Sequence, residues 1–132
     1  VQQAGLFCAF ADGANGFLIL RVFRRLHVAT FIALVNFTDQ GVRHIRQTTE
    51  RAKALMNAGA NLGVRIKEIY WTLGAFDAVF TADAPDEETM TAFTLSVGSL
   101  GNIRTQTLRA FSADEMNKIL EKVPAGNFSG TK

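Results

Sequence analysis

A chain of 132 residues with 48% hydrophobic composition is long enough for one self-sufficient core and too short for two ordinary domains. Fourteen basic and twelve acidic residues give a formal charge of +2, yet residues 27–123 hold ten Lys/Arg against eleven Asp/Glu, the surplus coming from Arg21, Arg24, Arg25 and Lys132. A near-neutral domain without a basic cluster argues against a nucleic-acid partner, which needs concentrated positive charge to release phosphate counterions.

The single cysteine, Cys8, has no internal disulfide partner and fits a reducing, cytoplasmic location better than secretion. No apolar run approaches the roughly 20 residues that span a bilayer. Two separated histidines and one cysteine give no metal-ligand spacing. Phosphate-binding loops, dinucleotide fingerprints and nucleophile elbows are absent, so no cofactor is implied.

Residues 1–27 differ in character from the remainder. From Phe17 the run FLILRVFRRL is apolar and then basic, the reverse of a secretory signal, which carries its positive charges first. Ile19, Val22, Phe23 and Leu26 fall on one helical face flanked by arginines, a pattern for a short basic amphipathic helix on a membrane surface or on the domain. The other reading is a leader or an over-extended gene start, with the domain beginning at residue 28.

Thr30 to Phe37, TFIALVNF, is rich in β-branched and aromatic residues and of strand length. Thr38-Asp39 supplies a helix N-cap. A single helix is expected to follow, with Val42, Ile45, Thr49, Ala52, Met56 and Leu62 on its buried face and Gly63 in the left-handed position at its end. Val64 to Leu73 and Phe76 to Ala84 read as two strands joined by a two-residue Gly74-Ala75 hairpin.

Asp86, Glu87 and Glu88 place carboxylates at the positive end of a second helix whose inner face would be Met90, Phe93, Val97 and Leu100. Ile103 to Phe111 is a fourth strand, Ser112 to Glu115 a capping box, and a last helix runs to about Val123. Residues 124–132 read as a flexible tail.

The order βαββαβ predicts an α+β, ferredoxin-like domain: a four-stranded antiparallel sheet with two helices on one face and an extra C-terminal helix. The opposite face would be uncovered, yet strand one is apolar on both sides, with Phe31, Ala33, Val35 and Phe37 opposite Ile32, Leu34 and Asn36. Burying ~400 Å² of apolar surface contributes on the order of 10 kcal/mol gross at ~25 cal/mol per Å², before the cost of association. The expectation is a homodimer or higher homo-oligomer, packed sheet to sheet in a dimeric α/β-barrel-like assembly.

The segments TFIALVNFTDQG, VRIKEIYWTLGAFDAVFTADAPDEE and VGSLGNIRTQTLRAFSADEM, in that order and with the final helix, resemble the GYD domain family of small bacterial and archaeal proteins over roughly residues 29–122. The resemblance implies a ferredoxin-like fold, an oligomer and no established reaction. Its hairpin signature of glycine, aromatic and aspartate is matched by Gly74, Phe76 and Asp77; the family's usual tyrosine is Phe76 here, which removes any role for a phenol hydroxyl at that position.

Asp77 beside a tight turn reads first as a backbone tie, and Gly74 as a conformational residue. Tyr70 and Trp71, adjacent on a strand, must point to opposite faces. Asn36, Glu68, Tyr70, Trp71 and Arg109 are the candidate ligand-binding residues on strands, with cross-strand pairing as the simpler explanation of most of them; His44, between two arginines, reads as a solvated helix residue. Two functional classes remain. One is a non-enzymatic oligomeric protein for assembly or for a small apolar ligand. The other is a cofactor-independent monooxygenase or isomerase, which needs Asn36, Glu68, Tyr70 and Arg109 to converge on one apolar cleft.

Overall fold

The computed structural model describes residues 28–126; the expectations for residues 1–27 and for the end of the tail lie outside it. Four strands, β1 (Ala29–Phe37), β2 (Arg65–Trp71), β3 (Ala78–Ala84) and β4 (Ile103–Ala110), form one sheet in the order β2-β3-β1-β4. Every neighbouring pair is antiparallel. The helices are α1 (Asp39–Arg43), α2 (Thr48–Leu62), α3 (Glu87–Ser99) and α4 (Ala113–Leu120), with a 3-10 turn at Ile45–Gln47 between the first two.

Strand alternation sorts the side chains cleanly. Phe31, Ala33 and Val35 of β1 and Ala78, Phe80 and Ala82 of β3 are buried on the face that carries the helices, where Met90 and Phe93 of α3 and the partly buried Leu55 of α2 cover them. On the other face the cross-strand rows run Tyr70, Val79, Leu34, Gln106 and then Glu68, Thr81, Ile32, Leu108. Nothing among the described residues covers that face, so the sheet is open with an apolar centre. Its end is polar: Asp83 accepts from Thr30 Oγ1 at 3.0 Å and pairs with Lys67 Nζ at 2.9 Å.

The single first helix expected from the sequence is divided. Thr38 caps α1, its hydroxyl oxygen accepting from Gly41 N–H, and His44 then leaves helical geometry at φ −110, ψ 32. The reason lies across the fold: a Cβ at Gly41 would stand 2.1 Å from Asn102 O, so α1 is pressed on the loop before β4 and the chain must turn before α2 can lie along the sheet. The expected inner face is displaced with it. Val42, Ile45, Met56 and Leu62 are exposed, while Thr48, Arg51, Ala52, Leu55 and Gly59 form the inward stripe at helical spacing.

The hairpin also differs. The strands stop at Trp71 and Ala78, and the turn closes through Thr72 N–H to Asp77 O at 2.9 Å and Thr72 Oγ1 to Phe76 O at 2.6 Å, leaving four residues rather than two in the loop. Asp77 explains the earlier end of pairing: its N–H donates to Val35 O at 2.9 Å and its carboxylate accepts Phe37 N–H at 2.8 Å, which draws the start of β3 onto β1. Gly74 in the loop has φ 131, a conformation that favours glycine. A bulge between Ile66 and Glu68 shifts the register of β2. Leu100, expected inside, is 67% exposed past the end of α3.

Local capping follows the sequence closely. Gly63 ends α2 at φ 87, Asp86 accepts from Thr89 N–H at 2.7 Å, and Ser112 with Glu115 forms a reciprocal capping box.

Candidate functional site

Helix α2 packs over the sheet on a stripe that includes small residues. Near its C-terminus Gly59 allows the close approach, since a Cβ there would be 2.9 Å from Val64 O and 3.4 Å from the Phe93 ring. Ala52, Ala54 and Ala58 also border the space over Val35, Ala78 and Phe80 and are too short to fill it. A cavity of about 300 Å³ results, at the small end of the range for ligand sites. Leu55, Ile69, Val97 and Ile103 complete walls that are overwhelmingly apolar.

Four polar-bearing side chains stand in this lining: Thr48, Arg51, Trp71 and Asn102. Trp71 Nε1–H donates to Thr48 Oγ1 at 3.0 Å and so joins the end of β2 to the first turn of α2. Arg51 Nη2 donates to Gly41 O at 3.1 Å. Asn102 Oδ1 accepts from Gln40 Nε2 at 3.1 Å, and its carbonyl accepts Thr38 N–H at 3.1 Å. The loops on either side of the sheet end are thus stitched together, with Thr38 Oγ1 also donating to Gly101 O and Gln40 Nε2 to Leu100 O.

The five candidate residues do not form one cluster. Trp71 is in the cavity wall on the helix side. Tyr70 and Glu68 point to the open face, paired with Val79 and Thr81, and Asn36 lies on that face beyond them, donating to Ala75 O at 3.2 Å. Arg109 is on the helix side near Thr30, away from the cavity of Trp71.

There the Arg109 guanidinium makes a full set of contacts. It donates to Thr30 O at 3.1 Å, pairs with Glu115 at 2.7 Å and lies 4.6 Å from the centre of the Phe111 ring. These bonds fasten α4 to the sheet. The Glu115 carboxyl is held below its ordinary value, first by accepting Ser112 N–H and then by Arg109. A smaller cavity of about 220 Å³ adjoins Arg109, Met90 and Thr107.

Thr48, Arg51 and Asn102 are site residues that the sequence does not single out. Their signal is present but weak: Thr48, Arg51, Ala52 and Leu55 follow a helical stripe, yet a stripe mixing an arginine with alanines reads as a solvated face until the sheet beneath it is known. Among the described residues no group of three or more His, Cys, Asp or Glu is placed to hold a metal ion, and no helix is long and apolar enough to cross a membrane.

Comparison with known proteins places the chain among relatives. The sequence profile of the GYD domain family matches residues 31–120. A Thermus thermophilus protein named glutamine synthetase and cystathionine beta-lyase binding protein is 32% identical over 88 residues, covering 66% of this chain and 93% of its own. A crystal structure of a protein from the same organism is 28% identical, covers 64% of this chain and 95% of that one, and aligns with a TM-score of 0.44.

Proposed function

This chain belongs to the GYD domain family, and we propose that it is a non-enzymatic binding protein, a ferredoxin-like domain that self-associates through its open sheet face and holds a small apolar molecule between sheet and helices. The cavity carries this reading. Its walls are aliphatic and aromatic, and the side chains that line it include no carboxylate or imidazole of the kind that serves as a general base. Such a site gains affinity by burying apolar surface rather than by moving protons.

Two further observations support the assembly side of the proposal. The centre of the open face presents Ile32, Leu34, Val79 and Tyr70 in adjacent cross-strand positions, a surface that a second copy would remove from water. The Thermus relative is named for binding two other proteins, which favours protein partners for this chain as well.

The ligand side is tested with octan-1-ol as a neutral apolar probe, followed through the fluorescence of Trp71, the only tryptophan of the chain. Saturable binding that is lost in Ala52→Phe, where the new ring fills the cavity and Trp71 stays the sole tryptophan, is the expected result. Failure of both the alcohol and its acid analogue, octanoate, to bind would overturn the ligand reading.

A further inference from the structure

We propose that the cavity selects an organic anion: an apolar body ending in a carboxylate or similar oxyanion head. The inference rests on the cavity being a ligand site and specifies what that site takes. It comes from the hydrogen-bonding capacity left over in the few polar groups that line an otherwise apolar space.

Thr48, Asn102 and Arg51 each keep donor capacity there. Thr48 Oγ1 accepts the Trp71 indole N–H, which leaves the hydroxyl proton to donate. Asn102 Oδ1 accepts from Gln40 Nε2, which orients the amide nitrogen, with its two N–H donors, the other way. Arg51 carries five donors and no acceptor; one nitrogen reaches Gly41 O, and the ion pairs among the described residues, Lys67–Asp83 and Arg109–Glu115, leave it without a carboxylate partner.

Arg51 is linked to each of the other two through its neighbours. Thr48 and Arg51 are one helical turn apart on the inward stripe of α2. Asn102 is bound to the same segment that Arg51 grips, since Gly41 packs directly on the Asn102 carbonyl. A set of donors with a permanent positive charge matches a ligand head made of acceptors, and guanidinium and carboxylate pair with two parallel hydrogen bonds. A neutral hydroxyl head satisfies fewer of them, and an ammonium head is repelled.

The volume sets the size of the part that the space can cover, since one side of it is open to solvent. A cavity of about 300 Å³ holds on the order of ten non-hydrogen atoms at the ~30 Å³ that liquid water allots to each molecule. Medium-chain or single-ring monocarboxylates fit that limit.

The test compares octanoate, octan-1-ol and octylamine as probes of equal chain length on the full chain, read through Trp71 fluorescence. Wild-type protein is expected to bind octanoate at least tenfold more tightly than octan-1-ol, and octylamine least. In Arg51→Met the ratio of octanoate to octan-1-ol affinity should fall toward one, and Arg51→Lys should restore part of it. If Arg51→Met fails to fold, Asn102→Ala takes its place, with a smaller fall in the ratio expected.

Equal binding of acid and alcohol, or tighter binding of the alcohol, overturns the anion proposal while leaving the apolar cavity in use. Binding of neither overturns both readings. A salt dependence confined to the octanoate affinity would further support a charged contact at Arg51.

Discussion

The indole of Trp71 donates to the hydroxyl of Thr48 across 3.0 Å, so the last residue of β2 closes onto the first residue of α2. The bond fixes one wall of the cavity and leaves the Thr48 proton pointing elsewhere. Trp71→Phe keeps the aromatic wall and removes the donor. A loss of about 1 kcal/mol is expected from the missing hydrogen bond, read as a lower urea midpoint at unchanged m-value. An unchanged midpoint would mean that the bond is not held in solution.

Two glycines provide a matched pair of opposite outcomes. Gly41→Ala drives a methyl group to 2.1 Å from the Asn102 carbonyl, and because the neighbour is backbone the two loops must separate. A destabilisation of ~2 kcal/mol or more is expected, at the upper end of overpacking effects. Gly98→Ala meets nothing within 4 Å inside α3 and should stabilise by ~0.5–1 kcal/mol through helix propensity. Thermal denaturation of both variants beside wild type checks the sign of each.

Attachment of α4 should depend on pH in a defined sense. The folded Glu115 carboxyl is held below its ordinary value of 4.5 by Ser112 N–H and Arg109. The native state therefore binds fewer protons than the unfolded state in that window, and stability rises with pH there. The contribution is complete above 4.5 and is lost as the pH falls through the lower folded value. Amide exchange in residues 113–120 should accelerate on acidification, and Glu115→Gln should show faster exchange at neutral pH with no further acid step. An identical acid response in both proteins would remove Glu115 as its source.

The open sheet face predicts a change of oligomeric state on a single substitution. Leu34 sits at its centre, between Val79 and Gln106 in the cross-strand row. Leu34→Lys places a charge in the middle of a sheet-to-sheet seam, where an unpaired buried ammonium is strongly unfavourable. Sedimentation velocity should show wild type as a dimer or larger and Leu34→Lys as a folded monomer. A monomeric wild type across the accessible concentration range would dispose of the sheet-face interface.

Much of the local structure is readable in the sequence because its causes are local. Thr38, Asp86 and Ser112 cap helices through bonds to residues three positions away, and Gly63 ends one for want of a Cβ. Period-two alternation is enough to send Tyr70 and Trp71 to opposite faces, as the pairing of Tyr70 with Val79 and of Trp71 with buried Ala78 shows. Apolar side chains alone are a poor guide to the inner face of α2: Met56 and Leu62 lie outward while Ala52 and Gly59 face the sheet. The hairpin is longer than its Gly-Ala pair suggests because Asp77 bonds to Val35 and Phe37, some forty positions earlier.

The chain by itself determined the order of its strands and of the helical segments between them, though not the division of the first, together with the two-faced character of its central strand and its membership in a family, since each depends on neighbours within a few residues or on end-to-end similarity. Tertiary structure alone decided which side of α2 meets the sheet, that its small residues leave a cavity there, and that Thr48, Arg51 and Asn102 line it. Those outcomes are set by contacts between different elements, Thr48 with Trp71, Gly59 with Phe93 and Gly41 with Asn102, and close packing between elements leaves no periodic trace in either segment.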